Sequence, residues 1–132
     1  MSELQEARAF FAGDRYATAV TGAVIEEIGP RYAKVSLTLD PERHFNAVGG
    51  VMGGVPFTLA DFAFAVASNW KGAPTVSLAS QITYLSSVKG RTLFAEANCV
   101  KSGRSTCYYR VCISDELGTD VAEVTITGFI KA

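Results

Sequence analysis

The sequence is short of the residues that build metal centres and disulfide frameworks. It has one histidine and three cysteines, Cys99, Cys107 and Cys112, and no two cysteines form a Cys-x-x-Cys pair. A structural zinc site needs a cluster of nitrogen and sulfur ligands, and a disulfide framework needs an even set of cysteines. Neither is supported, so we expect no metal and interpret the cysteines as small buried apolar residues.

An excess of charge of either sign is also missing. Twelve Lys and Arg residues face thirteen Asp and Glu residues, which gives a formal net charge of −1. A protein that binds the phosphates of nucleic acid or of an anionic membrane would carry a basic patch. We therefore expect neither nucleic acid nor a membrane as a partner.

Long apolar runs are missing as well, and we expect no targeting segment. The longest apolar stretch, Val55–Trp70, is interrupted by polar residues and falls short of the roughly 18 residues that begin to suggest a membrane span. The first residues are acidic, where a secretory signal would be basic. No repeat or linker divides the chain. We expect one domain over residues 1–132, located in the cytoplasm.

What the sequence does have is an abundance of apolar residues. They make up 48% of the chain, and charged residues only 19%, below the roughly 25% of typical globular domains. A small domain buries a limited share of its surface, so this excess suggests that a second copy covers part of it. We expect a homo-oligomer, either a dimer or a dimer of dimers.

Apolar residues recur at helical spacing in two segments and favour strands in six others. The predicted helices are Ser2–Ala12 and Val55–Asn69, and the second has apolar residues on every side, as in a helix buried all round. The predicted strands are Thr18–Ile28, Ala33–Leu39, Val76–Leu85, Thr92–Lys101, Thr106–Ser114 and Val121–Ile130. Short turns favour antiparallel pairing. This order predicts an α+β domain in which an antiparallel sheet wraps around one long central helix.

One carboxylate breaks the apolar pattern of the central helix. Asp61 has Phe57, Thr58, Phe64 and Ala65 as helical neighbours and no basic residue within reach. Burial there should raise its pKa toward values useful for proton transfer or nucleophilic attack. Alternatively, Asp61 lies at a boundary between chains and accepts backbone hydrogen bonds.

Two glycines before this helix form a second candidate. Gly53 and Gly54 fall where the helix begins, so their N–H groups lack a partner within the helix and lie at the positive end of its dipole. Such amides can stabilise a developing oxyanion. The alternative is that the glycines only permit a tight turn from loop to helix.

The segment from His44 to Asp61, HFNAVGGVMGGVPFTLAD, resembles the signature of the hotdog-fold acyl-CoA thioesterases of the phenylacetate-pathway (PaaI-like) group. That signature runs approximately Asn-x-x-Gly-x-x-His-Gly-Gly-x-x-x-x-Leu-x-Asp. The later run Val76–Leu85 and the turn Ser102-Gly103-Arg104 are similar to that family's strands and turns. The resemblance implies the hotdog fold and hydrolysis of an acyl-CoA substrate without a metal or a cofactor, since coenzyme A is part of the substrate.

The resemblance also implies roles for individual residues. Asp61 would be the nucleophile or the general base, and the Gly53 amide would polarise the thioester carbonyl. Asn46 would position water or substrate from the facing subunit, or else form an ordinary Asx turn. Ser77 would place a hydroxyl beside the catalytic carboxylate, or else face solvent. Strand alternation predicts that Ser77 shares a face with Gln81, opposite Val76, Leu78 and Ile82.

The other predicted substrate-binding residues are Gly54, Met52, Phe57, Lys89 and Arg104. Phe57 lines the acyl pocket or belongs to the core, and Lys89 and Arg104 lie at turns where they contact the phosphates of coenzyme A or face water. Met52 stands where the family usually has His. A thioether cannot donate a hydrogen bond, so any part that this His plays is lost or taken over. A backbone amide contact needs no side chain and survives the replacement.

Two other functions compete with hydrolysis. With Met52 in place of His, the chain could bind acyl-CoA or another apolar ligand without turnover. His44-Phe45 and Val51–Val55 are also similar to acyl-carrier-protein dehydratases of the same fold, but the helix has no Glu to act as their acid. We interpret His44 as a partly exposed structural residue. The leading prediction is an acyl-CoA thioesterase acting on a small, medium or aromatic acyl group.

Overall fold

A computed structural model describes residues 1–131, and over that range six strands form one antiparallel sheet beside three α-helices. The helices are α1 (Glu3–Phe11), α2 (Pro41–His44) and α3 (Gly54–Asn69), and a π-helical segment spans Tyr16–Thr21. The strands are β1 (Val24–Gly29), β2 (Tyr32–Thr38), β3 (Thr75–Tyr84), β4 (Thr92–Ser102), β5 (Thr106–Asp115) and β6 (Asp120–Ile130). Their order in the sheet is β1-β2-β4-β5-β6-β3, and α3 packs against all six. The predicted α+β architecture, a sheet wrapped around one central helix, is confirmed.

The core lies between α3 and the inner face of the sheet. Apolar residues alternate along β2, β4, β5 and β6, so every second side chain points at the helix. The largest fully buried side chains are Leu59, Phe62 and Val66 of α3, Val35 and Leu37 of β2, Leu93 of β4, Val111 and Ile113 of β5, and Val124 and Ile126 of β6. This packing fixes the position of α3 within the sheet.

The N-terminal helix is confirmed, but the strand predicted directly after it is wrong in its first half. Ser2 caps α1 in a capping box with Gln5. The β-branched residues at 18–21 belong to the π-helical segment, which ends at Gly22 with φ 94°. Packing of this segment against α3 overrides the local strand preference. The first strand begins only at Val24.

Two neighbouring parts of the molecule are left uncovered in the single chain. Among the described residues, β3 is an edge strand that pairs only with β6, and residues 76–81 along it are all exposed. A stripe of α3 at helical spacing is also exposed or half-buried. The stripe consists of Gly54, Phe57, Thr58, Asp61, Ala65 and Ser68. The prediction that this helix is buried all round is therefore wrong for one chain, although its other faces are buried.

Candidate active site

The start of α3 presents two backbone N–H groups without protein acceptors. The residues on either side are anchored: the Met52 N–H donates to the His44 carbonyl and the Val55 N–H to the Met52 carbonyl, both at 2.9 Å. Within residues 1–131, the N–H groups of Gly53 and Gly54 have no such partner. They lie at the positive end of a 16-residue helix. This geometry suits an oxygen atom that gains negative charge.

Tyr84, at the end of β3, forms a hydrogen bond with the turn at the start of α3. Its hydroxyl donates to the Gly53 carbonyl over 2.6 Å. A Cβ atom added at Gly53 would lie only 2.8 Å from the Tyr84 oxygen, so a larger residue would displace the hydroxyl. Tyr84 was missed from sequence because the contact depends on which strand lies beside the helix start.

Asn46 organises the loop that precedes α3. Its side-chain oxygen accepts hydrogen bonds from the N–H groups of Val48 at 3.1 Å and Gly50 at 3.0 Å. Asn46 therefore forms the Asx turn that was one of its two predicted roles. Its amide NH2 group makes no hydrogen bond within residues 1–131. Asn46, Gly53 and Tyr84 border one cleft of about 470 Å³, so the structure brings the loop and the helix start together.

Asp61 lies on the open stripe of α3, not in the closed core that was expected. Its carboxylate accepts no hydrogen bond and forms no ion pair with any residue in the described range 1–131. Partial burial among its neighbours raises the pKa of Asp61, and the negative charge of Asp14 raises it further. The predicted direction of the shift is confirmed, whereas the predicted depth of burial is wrong. The sequence does not predict the influence of Asp14, which lies just after α1 and approaches Asp61 only in the folded chain.

Asp61 and Gly53 are separated along the same helix. Eight residues at 1.5 Å each place them about 12 Å apart along the helix axis. The carbonyl group of one small molecule cannot contact both at that spacing. One chain therefore does not assemble the predicted pair of groups by itself.

Ser77 lies on the face of β3 that points toward α3, but Gln81 does not. Ser77 is paired with Gly128 and Gln81 with Thr125, and the register shifts at Leu78. Residues 124, 126 and 128 of β6 point inward. The bulge turns the strand by one residue, so the prediction that Ser77 and Gln81 share a face is wrong.

The two predicted cationic residues lie in different places. Lys89 is exposed and follows the loop that borders the cleft beside Gly53. Arg104 borders a separate cleft of about 720 Å³ at the other end of α3. The structure does not bring Lys89 and Arg104 together within one chain.

Of the remaining predicted residues, Met52 is 59% exposed, Gly54 is exposed, and Phe57 is half-buried on the open stripe. His44 is only 3% exposed, so its predicted partial exposure is wrong. One ring nitrogen of His44 accepts from the Asp40 N–H at 2.9 Å, and the other lies 2.9 Å from the Thr21 carbonyl. Both are used in structural contacts that tie α2 to the π-helical segment.

Within residues 1–131, no three His, Cys, Asp or Glu side chains cluster as metal ligands would. No helix in this range is both long and apolar enough to cross a bilayer.

The sequence and the fold of this chain are similar to those of known proteins. The chain is 29% identical to the Escherichia coli PaaI protein from the phenylacetic acid degradation operon, with a TM-score of 0.89 over 98% of this chain and 94% of that one. A hypothetical thioesterase from Streptococcus pneumoniae, solved with coenzyme A, is 26% identical, with a TM-score of 0.84 over 92% of this chain and 97% of that one.

A curated relative, a putative esterase of Archaeoglobus fulgidus, is 41% identical over 88 residues, which is 66% of this chain. The match spans only 56% of that relative's length. The family model of the thioesterase superfamily matches residues 48–122, more than half of the chain, and these residues include the helix start, Asp61 and Tyr84. The hotdog fold is confirmed, and the chain belongs to the thioesterase superfamily.

Proposed function

We propose that this protein hydrolyses an acyl-CoA thioester, with a small, medium or aromatic acyl group, to the free acid and coenzyme A. The observation that carries the proposal is the combination on one helix of two open N–H groups, at Gly53 and Gly54, with an unpaired carboxylate, Asp61, whose pKa is raised. The likeness to a thioesterase solved with coenzyme A supports this substrate class.

The active site would be shared between two copies of the chain. About 12 Å separates Asp61 from Gly53 on one helix, which supports the proposal that the two groups of one site come from different chains. The uncovered edge of β3 offers the contact, because an open edge strand favours pairing with another strand. Antiparallel pairing of two β3 strands places the Tyr84 end of one chain, with its Gly53, beside the Thr75 end of the other. We therefore expect a homodimer at least.

The reaction follows from these positions. The Gly53 N–H of one chain donates to the thioester carbonyl oxygen and stabilises the charge that develops there. Asp61 of the other chain either removes a proton from water as the water attacks the carbonyl carbon, or attacks that carbon itself to give an anhydride that water then hydrolyses. In both routes the carbon–sulfur bond breaks, the thiolate of coenzyme A leaves and is protonated, and the acid is released.

Other predicted residues have supporting parts in this proposal. The free NH2 group of Asn46 would orient water or substrate, and the Ser77 hydroxyl, on the face toward α3, would lie beside the carboxylate. Phe57, on the open stripe, would line the acyl pocket, and Lys89 of one chain and Arg104 of the other would contact the phosphates of coenzyme A. Dehydration is disfavoured, because both ring nitrogens of His44 are engaged.

The first test is release of free thiol from a panel of acyl-CoA esters. We expect Asp61→Asn to lower kcat by about 10²- to 10⁴-fold, as for removal of a general base. The matched control is Asp120→Asn, since Asp120 is an exposed carboxylate at the start of β6 and should leave kcat unchanged. Equal turnover by wild type and Asp61→Asn would exclude the assigned role. Tight binding of acyl-CoA without thiol release, by wild type and variant alike, would support ligand binding instead.

A mixed-dimer experiment tests whether the site is shared. Gly53→Pro removes the N–H at a residue whose φ of −57° proline can adopt. Gly53→Ala is the matched control, because it adds a Cβ atom beside Tyr84 as proline does but keeps the N–H. We expect Gly53→Pro and Asp61→Asn each to be nearly inactive alone. When the two are co-expressed and the mixed dimer is purified with two tags, one intact site should form and restore about half of the wild-type activity per dimer. No recovery in a folded mixed dimer would contradict the shared site.

A further inference from the structure

The hydrogen bond from Tyr84 to the start of α3 has a consequence for the chemistry of the neighbouring amide. The Gly53 carbonyl and the Gly54 N–H belong to the same peptide group. A donor on the carbonyl oxygen polarises that peptide, so its N–H becomes a better hydrogen-bond donor. The Tyr84 hydroxyl is 2.6 Å from the Gly53 oxygen, a short contact for two neutral groups.

The adjacent peptide is organised in the same manner. The Met52 carbonyl, which shares a peptide with the Gly53 N–H, accepts from the Val55 N–H at 2.9 Å. Both open N–H groups therefore belong to peptides whose carbonyl oxygens are hydrogen-bonded. The Met52 carbonyl is held by the backbone of the helix itself, whereas the Gly53 carbonyl is held by a side chain from the edge strand β3.

We infer that the Tyr84 hydroxyl is a positioning group of the active site: it fixes and polarises the Gly53–Gly54 peptide, so that the Gly54 N–H acts as a second donor to the thioester oxygen beside the Gly53 N–H. This inference rests on the proposed function. Gly53 is part of the same arrangement, because a Cβ atom there would lie 2.8 Å from the Tyr84 oxygen. The absence of a side chain at residue 53 thus leaves room for the hydroxyl.

The effect of Tyr84 should appear in turnover more than in substrate binding. A donor aimed at charge that develops in the transition state changes kcat, whereas uniform binding changes KM. Loss of an oxyanion donor costs about 10²- to 10³-fold in kcat. Because Tyr84→Phe weakens the Gly54 donor without removing it, we expect a decrease of about tenfold in kcat with KM changed by less than about twofold.

The control is Tyr108→Phe, since the partly exposed Tyr108 makes no side-chain hydrogen bond within residues 1–131 and lies on β5, outside the site. A second readout is the proton shift of the Gly54 amide in protein labelled with ¹⁵N-glycine, assigned by its loss in Gly54→Ala. Tyr84→Phe should move this resonance toward that of a weaker donor, and Tyr108→Phe should leave it in place. Thermal unfolding midpoints establish that both variants are folded.

Three results would overturn the inference: unchanged kcat in Tyr84→Phe, a rise in KM alone, or a lower kcat with the Gly54 amide resonance unmoved. If wild type releases thiol from no acyl-CoA, the proposed function fails, but the amide shift still decides whether Tyr84 polarises this peptide. In that case a moved resonance supports the positioning role and an unmoved one contradicts it.

Discussion

Two carboxylates of this protein, Asp115 and Asp61, have opposite surroundings. Asp115 ends β5, is only 3% exposed, and accepts four backbone hydrogen bonds at 2.9–3.0 Å. The four donors are the N–H groups of Lys89, Gly90, Leu117 and Thr119. Asp61 accepts no hydrogen bond from any residue in the described part of the chain. The four donors occupy both oxygens of Asp115, whereas both oxygens of Asp61 are free to accept hydrogen bonds from a ligand.

The pKa values of the two groups shift in opposite directions, because both carboxylates are subject to burial but only Asp115 has backbone donors. Burial alone would raise the pKa of Asp115, but the hydrogen bonds from the Lys89, Thr119 and Gly90 N–H groups bring it well below its ordinary range. Partial burial and then the charge of Asp14 raise the pKa of Asp61, and no hydrogen-bond donor among residues 1–131 lowers it. A carboxylate saturated by backbone donors stabilises a fold, and one held without donors can take a proton from water.

Replacing Asp115 should give the largest effect on stability. In Asp115→Asn, the side-chain NH2 group would face two of the four N–H donors, which then lose their acceptor. We expect the free energy of unfolding to fall by about 3 kcal/mol, the cost of leaving buried donors unpaired, as measured by urea denaturation. Asp61→Asn should leave this free energy unchanged or slightly higher at neutral pH, because it removes a carboxylate that is costly to ionise in the fold.

The pH dependence of unfolding sharpens this test. A carboxylate with a lowered folded pKa stabilises the protein fully above its unfolded pKa of about 3.9, and this contribution is lost as the pH falls toward the folded value. Wild type should therefore lose stability below about pH 4 more steeply than Asp115→Asn. Parallel curves for the two proteins would contradict the role of Asp115.

The sequence predicts well those elements whose own pattern of apolar residues indicates which faces are buried. The bounds of α3 were predicted to within one residue at its start, since its apolar residues are continuous. Burial alternates over residues 92–98 of β4, 106–113 of β5 and 122–128 of β6, because only one face of these strands meets the core. Asp61 and Gly53 stood out for the same local reason: a charge in an apolar helix, and a glycine at the helix start.

What the sequence could not predict depends on contacts between distant segments. Tyr84 reaches Gly53 only because β3 runs beside the start of α3, and the bulge at Leu78 breaks an alternation that reads as regular. The exposure of Asp61 depends on which faces of α3 the sheet leaves open. Periodicity predicts that a helix is apolar on every side, but it does not say whether its own chain or a second copy covers each side.

The smallest effect is expected from Asp14, the acidic neighbour of Asp61. Its charge is the second cause of the raised pKa of Asp61, after partial burial. In the proposed reaction the ionised form of Asp61 is the active one, so hydrolysis should increase as the pH rises through this raised pKa. Asp14→Asn removes the repulsion, so the rise of kcat/KM should move to lower pH while the plateau at high pH stays the same.

A pH–rate profile from pH 4 to 9, with Asp120→Asn as the control, measures the difference. If Asp14→Asn left the profile in place, burial alone would account for the shift at Asp61, and the difference between the two carboxylates would reduce to their hydrogen bonds.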